Sequence, residues 1–105
     1  PLGHMLEIDI GTSFDLKARR MRIALSRPQR DKHEETWRVE ITNSRSVSTI
    51  VNVEQRVYGY FQVINSKLDG QNISYHKERA ELIVFPVKLA ANSLAILEYS
   101  ILYGY

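Results

Sequence analysis

Between Ala80 and Tyr105, apolar residues fall on every second position. Ile83, Phe85, Val87 and Leu89 lead into Ala90-Ala91-Asn92-Ser93, after which Ala95, Leu97, Tyr99, Ile101 and Tyr103 resume the alternation. Successive side chains of a strand point to opposite faces, so a period of two buries one face of each segment. Two such segments joined by four turn residues predict a closing antiparallel hairpin, with Tyr99 and Tyr103 in the core. Pro86 takes the outward parity of the first segment. Proline has no N–H to give to a ladder, which predicts a sheet edge at that point.

The same pattern runs through the rest of the chain. Leu6, Ile8 and Ile10 alternate with Glu7 and Asp9, and Gly11-Thr12-Ser13 is turn chemistry. Phe14, Leu16 and Ala18 then keep one parity while Met21, Ile23 and Leu25 keep the other. One extra residue near Arg19-Arg20 reconciles the two sets, the count expected of a β-bulge in a long strand. A helix over Lys17–Leu25 is the competing reading, weakened by the lack of an N-cap with a capping box. The stretch 27–32 is polar, contains Pro28 and reads as a loop. Trp37, Val39 and Ile41 mark a strand, Asn43-Ser44-Arg45-Ser46 a turn, and Val47, Thr49, Val51 and Val53 the antiparallel partner of that strand. Tyr58-Gly59-Tyr60 interrupts the alternation, Phe61 and Val63 restart it, Asp69-Gly70 marks a tight turn, and Ile73 and Tyr75 follow. No segment carries a helical stripe. The expected fold is all-β, an immunoglobulin-like antiparallel β-sandwich of seven to eight short strands.

Composition narrows the function classes. A chain of 105 residues is one domain with one modest core. Pro1-Leu2-Gly3-His4-Met5 reads as a protease-cleavage and cloning remnant, leaving residues 6–105 as the domain. Without cysteine there are no disulfides, no thiol catalysis and no cysteine-ligated metal. No apolar run approaches the ~20 residues that span a bilayer. A net charge of +2 does not by itself call for a polyanion partner, and no nucleic-acid partner is expected.

Two features could carry binding chemistry. Lys17, Arg19, Arg20, Arg22, Arg27, Arg30 and Lys32 form a basic segment, with Arg20, Arg22 and Arg30 the candidates for an acidic polymer or glycan. The alternation of Lys17 and Arg22 with apolar residues favours ordinary solvent-facing strand positions instead, with Glu34, Glu35 and Glu40 as cross-strand partners. Tyr58 and Tyr60, near Phe61 and Tyr75, could form a stacking platform or simply cap the core. His33, in the polar loop, and His76, beside a turn, are too few and too isolated for a metal site. Asp69, Glu78 and Glu81 lack the spacing of a calcium loop. No nucleophile elbow or phosphate loop occurs, so no catalytic residue and no cofactor is assigned.

Four blocks resemble a known family. Asp9-Ile10-Gly11-Thr12-Ser13-Phe14-Asp15-Leu16 is one. Val39-Glu40-Ile41-Thr42-Asn43 with Val51-Asn52-Val53-Glu54 is the second, Tyr58-Gly59-Tyr60-Phe61-Gln62-Val63 the third, and the closing Glu98–Tyr103 segment the fourth. Together they are similar to the C-terminal β-sandwich domain of bacterial mucoidy inhibitor A-like proteins. Tyr60-Phe61 departs from that family's Asp-Trp, and Ala90 from its usual proline. The resemblance implies a sandwich that is the C-terminal module of a longer, periplasmic or secreted bacterial protein. It transfers no activity and no site residue. The expectation is a non-catalytic structural or protein-interaction domain, meeting a protein partner or a second copy through an exposed strand edge.

Overall fold

The structure is a computed structural model that describes residues 3–5, 8–9 and 16–104, the first two stretches as backbone only. The features expected at Leu6, Ile10, Gly11–Ser13 and Phe14 lie outside the described residues. Ten strands occur among those described: β1 Gly3–Met5, β2 Ile8–Asp9, β3 Leu16–Gln29, β4 Lys32–Asn43, β5 Thr49–Arg56, β6 Tyr60–Leu68, β7 Gln71–Asn72, β8 His76–Arg79, β9 Leu82–Leu89 and β10 Ser93–Gly104. Setting aside the two-residue β2 and β7 leaves eight. They form two antiparallel sheets, β1-β3-β4-β10-β6-β7 and β2-β5-β9-β8. The fold is the all-β sandwich that the alternation predicts.

The core lies between the sheets and is built from single parities. Val39 and Ile41 of β4, with Leu97, Tyr99 and Ile101 of β10, meet Val51 and Val53 of β5 and Ile83, Phe85 and Val87 of β9. All are buried, so the inward residues of the last two long strands were legible in the sequence. Their partnership was not. β9 and β10 do not pair with each other. β9 pairs with β5 and β8, and β10 pairs with β4 and β6. The closing unit is an arch whose two strands face one another across the core. Likewise β5 is not the partner of β4, which lies between β3 and β10.

Both corrections have one local cause. The chain crosses between sheets at residues 44–48 and again at 90–92, and buried Asn43 holds both crossings. Its Nδ2 donates to the Val47 carbonyl at 3.1 Å and to the Ala90 carbonyl at 2.9 Å. Its Oδ1 accepts from the Arg45 amide at 3.0 Å. The Asn92 amide donates to the Arg45 carbonyl, so the two crossings also bond to each other. Asn92 has a φ of 50°, a left-handed conformation that asparagine tolerates.

Elsewhere the turns follow expectation. Asp69 and Gly70 both have positive φ, as a two-residue hairpin turn needs, and they join β6 to β7. Pro86 lies past the last pair between β8 and β9, His76 with Val84. Among the described residues β9 has only β5 as a neighbour at that point, so the proline stands where a missing donor is harmless.

Candidate functional site

β3 and β4 form a long hairpin closed at Arg30-Asp31, so Arg27, Pro28 and Gln29 are strand residues rather than a loop. The predicted bulge exists but sits at Ile23, between the pairs Arg22–Trp37 and Ala24–Thr36. A second irregularity lies between Ser26 and Gln29. Because the first bulge comes three residues later than expected, Arg20 and Arg22 keep the inward parity of Leu16 and Ala18. They are not outward residues.

The inner face of the hairpin changes character along its length. Val39 and Ile41 are fully buried, Trp37, Glu35 and His33 half-buried, and Leu25 is 57% exposed. The four-stranded sheet is the reason, because its strand β5 ends its ladder with β9 at the pair Arg56–Leu82. Beyond that point the chain crosses to β6 through Val57, Tyr58 and Gly59, the last with a φ of 57°.

An aromatic and charged cluster fills this open end. Arg20 lays its guanidinium 4.4 Å from the Trp37 ring centroid and donates to Gln55 Oε1 across the sandwich at 2.9 Å. The Tyr99 hydroxyl donates to the same oxygen. Tyr58 stacks on Tyr103 with centroids 4.2 Å apart and planes 8° from parallel, and His33 stacks on Tyr103 at 4.9 Å. His33 Nε2 and the Tyr58 hydroxyl are hydrogen-bonded at 3.1 Å. Glu35 accepts from Trp37 Nε1 at 3.2 Å, and its other oxygen lies 3.6 Å from Arg22 and 3.8 Å from His33. Next to this cluster, Arg22, Leu25, Ser26, Arg27, His33 and Glu35 line a cleft of about 430 Å³.

The structure therefore brings Arg20, Arg22 and Tyr58 to one end and separates the other two candidates. Arg30 is at the exposed hairpin tip, and Tyr60, 78% exposed, is on the outer face beside Lys32 and Gly104. His33 belongs to β4 opposite Tyr103 rather than to a loop, because the β3–β4 hairpin continues through the polar stretch. Gln55 is the residue that sequence reasoning missed. A polar side chain on the buried parity of Val51, Val53 and Val57 was the signal that something inside needed a partner. On the outer face, Arg19–Glu40 at 2.9 Å is a cross-strand ion pair of the kind expected for Glu40, and Arg38–Glu98 at 2.7 Å is one the sequence reading did not name. No group of three or more metal-ligating side chains occurs among the described residues.

Two tyrosines here are tuned by the core. Burial pushes the Tyr99 phenol well above its ordinary value, with Arg20 acting in the opposite direction. Burial, with Glu35 and Tyr58 nearby, does the same to Tyr103. Both phenols keep their protons in the folded state at pH values where the unfolded chain releases them. Their contribution to stability is complete below pH ~10, the unfolded phenol value, and falls as pH rises beyond it. We expect stability to urea to drop above that pH, with the 295 nm phenolate absorbance of these two rings rising only as the fold is lost. Tyr103→Phe should flatten the slope; an unchanged slope would remove Tyr103 from this account.

No protein-family model matches the chain, and no curated relative matches it. Among solved structures, the fold is similar to part of an M1 zinc metallopeptidase from Deinococcus radiodurans, crystallised with a Tyr-Ser-Ala substrate. The TM-score is 0.55 at 12% identity, over 98% of this chain and 21% of that one. That likeness concerns the fold alone.

Proposed function

We propose that this sandwich is a non-catalytic protein-interaction domain of a longer, exported bacterial protein. The observation that carries the reading is the open inner face of the β3–β4 hairpin. There half-buried Arg22 and His33 sit with exposed Leu25 and Tyr58, where no described strand of the second sheet covers them. Aromatic residues and arginine are the types enriched at protein interfaces. The polar groups around them are engaged in holding the fold: Gln55 by Arg20 and Tyr99, Glu35 by Trp37. The matched part of the metallopeptidase, one fifth of that chain, gives a precedent for this fold as one portion of a larger polypeptide. The resemblance to the mucoidy inhibitor A-like C-terminal domain supports the exported setting.

The rival reading is an acidic-polymer or glycan site on the basic segment. Arg30 at the hairpin tip and Tyr60 on the outer face do not share the inner face of Arg22 and Tyr58, which counts against a single such surface. Fluorescence anisotropy against DNA, RNA and an acidic polysaccharide should show no saturable binding tighter than about 1 μM at physiological salt, where generic DNA attraction is 10⁻⁴–10⁻⁶ M. Tighter binding that Arg22→Glu with Arg30→Glu abolishes would overturn the interaction-domain reading in favour of the rival.

A further inference from the structure

β1 pairs with β3 through Gly3–Met21, His4–Arg20 and Met5–Arg19. These three residues belong to the stretch that reads as a cloning remnant. A three-residue strand is thus seated antiparallel on the edge of β3 at Arg19–Met21. Recognition of that kind rests on main-chain hydrogen bonds, the basis of strand addition at exposed sheet edges.

The rest of β3 is not equally receptive. Beyond Arg22 the bulge at Ile23, the irregularity between Ser26 and Gln29, and Pro28 itself disturb the edge. Bulges and proline are the devices that keep an edge from pairing. From Leu16 to Arg22, by contrast, every residue pairs one-to-one with β4 and no proline intervenes. This stretch presents Lys17 and Arg19 on the outer face, with Arg20 and Arg22 on the inner one. A strand lying alongside would place its side chains next to four cations, of which Arg19 and Arg22 have Glu40 and Glu35 as partners on β4. Opposite charges across a strand pair are favourable and like charges unfavourable.

We propose that the edge of β3 over Lys17–Met21 is a strand acceptor. Its occupant is an extended, acidic segment of a partner protein, running antiparallel in the place that β1 takes here. The proposal rests on the interaction-domain reading and names the partner's chemistry.

The test uses the full chain carrying Gly3→Pro, His4→Pro and Met5→Pro, which removes all three backbone donors of β1 and weakens its hold on the edge. Amide chemical shifts are followed while adding a short peptide alternating valine and glutamate, or its valine–lysine counterpart. We expect saturable shifts at Lys17–Met21 with the glutamate peptide, stronger in the proline variant than in the parent. Reversing the peptide's charge should weaken binding by roughly tenfold, the combined effect of a few cross-strand pairs. Arg19→Glu should narrow that difference. No shift at β3 in the proline variant, or shifts confined to the cleft by Arg22 and His33, would overturn the acceptor while leaving the interaction-domain reading in place. Failure of the reading itself shows separately, as tight polyanion binding in the anisotropy titration.

Discussion

Tyr99→Ala should be among the most damaging single changes in this domain, lowering stability by about 3–5 kcal/mol, the usual result of truncating a large buried aromatic. Tyr99 is fully buried at the centre of the six-stranded sheet, between Trp37 of β4 and Ser66 of β6. Its ring stacks on Phe85 of the opposite sheet with centroids 4.6 Å apart, so it is the main side-chain tie between the sheets at this level. Truncation removes that ring and also takes a donor from Gln55. Against a domain stability of roughly 5–15 kcal/mol, a loss of this size leaves a marginal fold. Tyr99→Phe separates the two contributions. It keeps the ring and removes only the hydroxyl, and Arg20 still donates to Gln55 Oε1, so about 1 kcal/mol is expected. Urea unfolding measures both, with Lys67→Ala as an exposed control. A midpoint for Tyr99→Ala no lower than the control's would show that the ring does not carry the core.

Asn43→Ala should cost roughly 2–4 kcal/mol, at about 1 kcal/mol for each of three side-chain hydrogen bonds plus the groups left unsatisfied. The side chain is small, and no pattern of hydrophobicity marks it as important. Its weight comes from position. It is the inward residue at the end of β4, paired with Leu16 on one side and Ser93 on the other. From there it bonds the backbone of both sheet crossings. Leucine at this site would be no remedy, because the Val47 carbonyl would lose the Asn43 donor and the Ala90 carbonyl would keep only the Ser93 hydroxyl. Asn43→Asp should be harmful as well, since it sets a carboxylate against two carbonyl oxygens. Hydrogen exchange gives the specific signature: the Arg45 and Asn92 amides should lose protection earlier than the core of β4 or β10. Stability within about 0.5 kcal/mol of the parent, the range of ordinary surface changes, would refute the anchoring role.

The candidate site was only partly legible. Arg20, Arg22 and Tyr58 were singled out as chemistry-bearing, and the structure does gather them, yet for another reason than the one their sequence suggested. The arginines looked like outward strand residues because charge on alternate positions normally faces water. Arg20 instead points inward, its guanidinium on the face of Trp37 and hydrogen-bonded to Gln55. A long apolar stem lets arginine occupy such a position while its head finds partners. The error traces to the bulge. Shifting it from Arg19-Arg20 to Ile23 inverts the face of both arginines, and a one-residue shift in register does this to every side chain it affects. His33 went astray for the opposite reason. Polar composition and Pro28 suggested a loop, whereas the hairpin continues through them and turns only at Arg30-Asp31.

Alternation of apolar residues is a local property, and it sufficed to establish the β class, the interior positions of β4, β5, β9 and β10, the Asp69-Gly70 turn and the tolerance for Pro86. The assignment of strands to sheets is not local. A strand with one buried face looks the same whether its neighbour in sequence lies beside it in a hairpin or across the core in an arch, since both bury the same parity. For β9 and β10 the tertiary structure decided in favour of the arch, through Asn43 and the bond from Asn92 to Arg45, contacts that join residues about fifty positions apart. It likewise decided which inner face stands open, because that depends on where the second sheet stops, and which arginines turn inward, because that depends on where the bulge falls.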